Sequence, residues 1–95
     1  MPEMHFLVRW PDGTQQRCYS PSLVIEDFFA PGASYAVGDF VQRSRTALQI
    51  GSERVRQKYG YGCGYASAQL NEIERIAARF ESQLGAKVIV ESFEK

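Results

Sequence analysis

Two long stretches of helical periodicity are separated by Tyr59-Gly60-Tyr61-Gly62-Cys63-Gly64-Tyr65, and this break makes a helical hairpin the centre of any fold. In the first stretch Phe40, Val41, Ser44, Ala47, Leu48, Gly51, Val55 and Tyr59 recur as one stripe, predicting a helix from about Gly38 to Tyr59. Asp39 supplies an N-cap or first-turn acid four residues before Arg43. Gly60 is the expected stop. In the second stretch Ala66, Leu70, Ile73, Ala77, Phe80 and Leu84 predict a helix from about Tyr65 to Leu84, ended by Gly85. Ser44, Ala47 and Gly51 opposite Ala66 and Ala77 would let the two helices approach closely.

The flanks read as strands. Met4, Phe6, Val8 and Trp10 alternate with His5, Leu7 and Arg9, giving a strand with one apolar face. Pro11-Asp12-Gly13 is turn chemistry, and Gln15 to Tyr19 resumes extended structure, so residues 4–19 form a hairpin. Ser20-Pro21-Ser22 ends it. Leu23 to Phe29 fits either a short strand or a helical turn, and Pro31-Gly32 forces a loop. Lys87 to Phe93, rich in β-branched residues, reads as a final strand. The order strand, strand, helix, helix, strand (ββααβ) predicts a single α+β domain over residues 1–95, its sheet covered on one face by the helical hairpin.

A chain of 95 residues buries roughly 60–65% of its unfolded surface, enough for a thin core. Eleven basic and eleven acidic residues cancel. That balance argues against a nucleic-acid binder that depends on a strong global field, and it does little to oppose self-association. No apolar run approaches a membrane span, and no signal peptide is visible, so the expectation is a cytoplasmic protein with free thiols at Cys18 and Cys63.

Cys63 is the best single chemical candidate. At the start of the second helix, unpaired N–H groups and the helix dipole favour a thiolate, and Gly60, Gly62 and Gly64 could present backbone donors to an anion. The competing reading is a turn in which Cys63 packs as a small hydrophobe, because a nucleophile wants a base and His5 is remote in sequence. Cys18, beside Arg17, reads as a strand thiol, and a Cys18–Cys63 redox pair would require the loop to fold over the hairpin. One histidine and two distant cysteines give no metal spacing, and no cofactor motif is present: Gly60-x-Gly62-x-Gly64 lacks the preceding strand of a dinucleotide fingerprint. Glu74 and Glu81 share a helix flank but sit too far apart for an acid/base pair. On the first helix Arg43 and Arg54 flank Ile50, which stands off the core stripe. That grouping suits a contact patch for another protein chain, or a solvated surface.

Met1-Pro2-Glu3-Met4-His5-Phe6, Arg9-Trp10-Pro11-Asp12-Gly13 and Cys18-Tyr19-Ser20-Pro21-Ser22 are distinctive together. So are Phe40-Val41-x-Arg43-Ser44-Arg45-x-Ala47-Leu48 and Ser52-Glu53-Arg54-Val55-Arg56-x-Lys58-Tyr59-Gly60. In this combination the chain resembles, over nearly its whole length, the small bacterial family of nitrogen-starvation response proteins. Cys63, after Tyr61-Gly62, matches that family's loop. The resemblance implies a cytoplasmic role in nitrogen metabolism, with genes clustered beside a nitrilase, a radical-SAM protein, an acetyltransferase-like protein and a flavoprotein, in clusters for nitrile or cyanide assimilation. It assigns no reaction and no catalytic residue.

Three function classes follow. The favoured one is a non-catalytic accessory or regulatory protein of nitrile assimilation, binding a protein partner or a second copy of itself through the Arg43, Ile50, Arg54 patch or its edge strands. The alternative is a small-molecule binding protein or thiol-based enzyme using Cys63, with Arg17 or Arg54 holding an anionic group. A nucleic-acid-binding regulator using the basic helix comes last, for want of a recognisable motif and of net charge.

Overall fold

In a computed structural model, which describes residues 3–61 and 64–95, the chain is an antiparallel sheet carrying two helices on one face. The strands are β1 (Met4–Arg9), β2 (Gln15–Ser20), β3 (Ser34–Ala36) and β4 (Lys87–Glu94); the helices are α1 (Val37–Tyr59) and α2 (Gly64–Ala77). Strand order is β2-β1-β4-β3. The α+β class and the helical hairpin over a sheet are as the sequence predicts, and the sheet gains one strand. β3, only three residues long, directly precedes α1 and pairs Ser34 with Ile89 and Ala36 with Lys87. Three residues between Pro31-Gly32 and a helix carry no alternation to read.

The apolar alternation of β1 builds the core. Met4, Phe6, Val8 and Trp10 are buried, as are Cys18 and Ser20 on β2 and Val88 and Val90 on β4. Register shifts between Leu7 and Val8, where Glu91 of β4 is bulged out of the pairing. The extra residue lets Val90 and Phe93 both pack on the core although they are three apart. Phe40, Ser44, Ala47 and Leu48 of α1 and Ala66, Ile73 and Ala77 of α2 close the core from above. Trp10 meets Phe40 edge-on at 5.4 Å between ring centroids and stacks on Phe80 at 6.0 Å.

Two local expectations change, and the Leu23–Phe29 alternative resolves to the helical turn. The second helix stops at Ala77 and continues as a tight 3-10 turn over Ala78–Phe80. Phe80 still reaches the core, but Leu84 is fully exposed. The Leu23–Asp27 segment is a 3-10 turn, capped by the Ser22 hydroxyl accepting from the Val24 N–H. Gly51 meets this part of the chain, not α2: a Cβ built there would lie 2.9 Å from Pro21 Cγ.

The sheet's edges are closed differently. α2 lies along β2, where Gln69 Oε1 accepts the outward-pointing Tyr19 N–H at 2.9 Å and Glu72 accepts from Gln16 at 2.9 Å. The opposite edge is the short β3. Both arrangements shield backbone groups that would otherwise template pairing with another chain.

Candidate functional site

The described ends of the inter-helix turn are Tyr59–Tyr61 and Gly64–Tyr65. α1 has 23 residues and spans about 35 Å at helical rise, whereas a six-residue strand covers about 20 Å. From Ser52 onward no residue of α1 is buried, and the molecule measures 41 × 22 × 18 Å. Gly60 ends α1 in the left-handed conformation (φ 85°), its N–H donating to the Arg56 carbonyl at 2.7 Å, as its sequence position predicts. Gly64 opens α2. Gly62 and Cys63 lie outside the described residues, so the thiol candidate and the middle of the glycine loop have no described geometry.

What the described part of the tip presents is tyrosine. Tyr59, Tyr61 and Tyr65 are 52%, 69% and 77% exposed. Tyr59 and Tyr61 rings sit 6.4 Å apart, and the Lys58 ammonium lies 5.5 Å from the Tyr59 centroid. Tyr65 contacts Tyr19 edge-on at 6.0 Å, and Tyr19 contacts His5 at 5.8 Å. The fold thus carries His5, from the start of the chain, into a row of rings running toward the tip. Nothing local to His5 in sequence points there; only the pairing of His5 with Tyr19 across the hairpin does. The tip is also basic. Arg54, Arg56 and Lys58 follow Glu53, and no acid intervenes before Glu72. Arg56 is paired with Glu53 at 2.9 Å.

Cys18 is fully buried on the inner face of β2. Burial, and secondarily the Glu72 carboxylate, push its thiol far above the ordinary value of 9.0. Cys18 is therefore a packed hydrophobe at neutral pH.

Arg43, Ile50 and Arg54 fall on the side of α1 that receives residues 21–28. Arg43 pairs with Asp39 at 3.0 Å, donates to the Phe28 carbonyl at 2.8 Å and stacks 4.8 Å over Tyr35. Arg54 donates to the Ser22 hydroxyl at 3.2 Å. Ile50 is half-buried against the core, not exposed between the arginines. The two guanidinium groups thus grip both ends of the chain's own 3-10 segment. Glu74 bridges to Arg45 across the two helices at 2.7 Å. Arg17 pairs with Glu94, and Arg9 with Glu91 at 3.2 Å, on the open face of the sheet. Among the described residues no three His, Cys, Asp or Glu side chains are grouped to hold a metal ion, and no helix is long and apolar enough to cross a membrane.

The sequence matches the family of nitrogen starvation-induced protein NitG over residues 5–93, and the chain belongs to that family. No curated protein and no solved structure matches it.

Proposed function

We propose that this protein is a non-catalytic accessory or regulatory protein of nitrogen assimilation, in the cytoplasm, that works by docking its hairpin tip on a protein partner. The observation that carries the proposal is the exposure of Tyr59, Tyr61 and Tyr65 together around the helical hairpin's turn. Tyrosine is enriched in protein interfaces because it offers a large apolar ring and a polar end at little cost in side-chain entropy. With Lys58 against Tyr59 and Arg54 and Arg56 in the preceding turn of α1, the rings suit an acidic partner surface with apolar recesses. Membership of a nitrogen starvation-induced family supports the metabolic setting. The nitrile-assimilation machinery implied by the sequence resemblance is the proposed source of the partner.

The test is pairwise binding of the purified chain to the nitrilase, radical-SAM, acetyltransferase-like and flavoprotein products of such a cluster. One of them should bind, with a strong dependence on salt, and the double variant Tyr61→Ser/Tyr65→Ser should lose that binding while keeping the wild-type melting curve. Failure of all four to bind, or binding indifferent to the double variant, would refute the docking role.

A further inference from the structure

The helices cover one face of the sheet and leave the other open, and register fixes which side chains stand there. Leu7 lies opposite Arg17 on β2 and Ser92 on β4, and Arg9 lies opposite Gln15 and Ile89. In β1 they alternate with the buried Phe6 and Val8, so all point away from the helices. The middle of this face is apolar. Leu7 stands halfway along an inner strand, and Ile89, on the neighbouring inner strand, is 37% exposed.

The charges on the face are segregated. Arg9 and Arg17 stand on the β2–β1 half, with no acid beside them on those strands. Glu91 and Glu94 stand on β4, where the one base on this face, Lys87, lies at the far end opposite Ala36. The Arg9–Glu91 and Arg17–Glu94 pairs therefore run in the same direction across the sheet, bases toward β2 and acids on β4. Gln15 reaches across β1 the same way, its amide donating to Glu91 at 2.7 Å. Ion pairs that lie side by side and point the same way oppose one another, and a surface whose pairs point the other way attracts them both. Arg17 donates to Glu94 through Nε alone, which leaves its two terminal nitrogens without a partner among the described residues.

We infer that this face binds a second copy of the chain, face to face, about a two-fold axis running along the strands through the middle of the sheet. Such an axis lays β1 of one copy over β4 of the other. It sets each ion pair against an oppositely directed one, brings Arg9 and Arg17 over the acidic half of the second copy, and gathers Leu7 and Ile89 of both copies at the centre. A two-fold contact requires a self-complementary patch. A basic half and an acidic half on either side of the axis make one, whereas a face built for an acidic or a basic partner would carry a single sign. Net charge is zero, so no long-range repulsion opposes association. The sheet's edges are shielded by α2 and by the short β3, which leaves the face as the sheet's route to a second copy. Four strands about 4.8 Å apart and about 20 Å long offer about 400 Å² per copy. The pair buries about 800–1,200 Å², the small end of specific interfaces, so the dimer is reversible, with a dissociation constant of about 10–100 μM. The contact uses no residue of the tyrosine-bearing turn and stands or falls apart from the docking role.

The experiment is sedimentation equilibrium of the full chain from about 5 μM to about 1 mM, which spans that constant. The chain should pass from monomer to dimer, and about 0.5 M salt should weaken the dimer several-fold. Ile89→Arg, at an exposed position, should raise the dissociation constant at least about tenfold with the melting curve of the monomer unchanged. The double variant Arg17→Glu/Glu94→Arg reverses one ion pair in each copy. It should dimerise as wild type does, because two reversed pairs again oppose each other in direction. Mixed with isotope-labelled wild type, it should form fewer mixed dimers by native mass spectrometry than chance pairing gives, which a purely structural role for the pair would not produce. A chain still monomeric at the highest concentration, a dimer indifferent to Ile89→Arg, or chance mixing with the reversed variant would each overturn the inference.

Discussion

Gly51 carries no side chain because Pro21 occupies the space where one would stand, with its Cγ 2.9 Å from a built Cβ. Gly51→Leu should therefore destabilise the protein by about 1–3 kcal/mol through overpacking, measured by urea denaturation; unchanged stability would show that the turn at Pro21 gives way freely. Cys18 makes a pH-dependent contribution. Its folded thiol is held protonated by burial, whereas the unfolded thiol ionises above its ordinary value of 9.0. Below that value both states bind the proton and nothing changes; above it only the unfolded state releases one, so stability falls as pH rises. Cys18→Val should remove up to about 1.4 kcal/mol per pH unit of the alkaline loss, seen as a shallower fall of melting temperature above pH 9 than in wild type. Equal slopes in the two proteins would mean that the thiol is not sequestered. The burial of Met4, Phe6, Val8 and Trp10 was legible from alternation, and Gly60's left-handed stop from its place after a helical stripe. The neighbour of Gly51 was not: helical spacing says which residues share a face, and says nothing of which distant segment will cover it.

The element that most depends on a long-range contact is β2, whose outer edge is closed by α2. Gln69→Ala removes the acceptor of the Tyr19 N–H at 2.9 Å. It should cost about 1 kcal/mol and make the Tyr19 amide exchange with solvent measurably faster. An unchanged exchange rate at Tyr19 would show that α2 does not protect this edge. Both helices, the β1–β2 hairpin and the last strand were readable because each carries its own period and its own turn residues. β3 was not, since it is a strand only by virtue of pairing with β4. Nor was the bulge at Glu91, where a change of register is a property of two strands together. The same holds for Arg43 and Arg54. Their wheel positions placed them beside Ile50, but the Phe28 carbonyl and the Ser22 hydroxyl that they bind arrive from a segment whose path the sequence left open.

At the scale of the molecule, zero net charge conceals a separation. The tip carries Arg54, Arg56 and Lys58 with Glu53 as its one acid before Glu72, while Glu91 and Glu94 at the far end of the chain lie on the sheet's open face, paired to Arg9 and Arg17. On the open face these two pairs neutralise each other, whereas the tip combines exposed rings with an excess of positive charge. That contrast favours the tip as the docking surface. Hydrogen–deuterium exchange of the chain alone, and mixed in turn with each of the four proteins proposed above as partners, tests it. One mixture should slow exchange in residues 53–61 and 64–68 and leave β1 and β4 unchanged. No slowing in any mixture, or slowing confined to the face that bears Leu7 and Ile89, would contradict it.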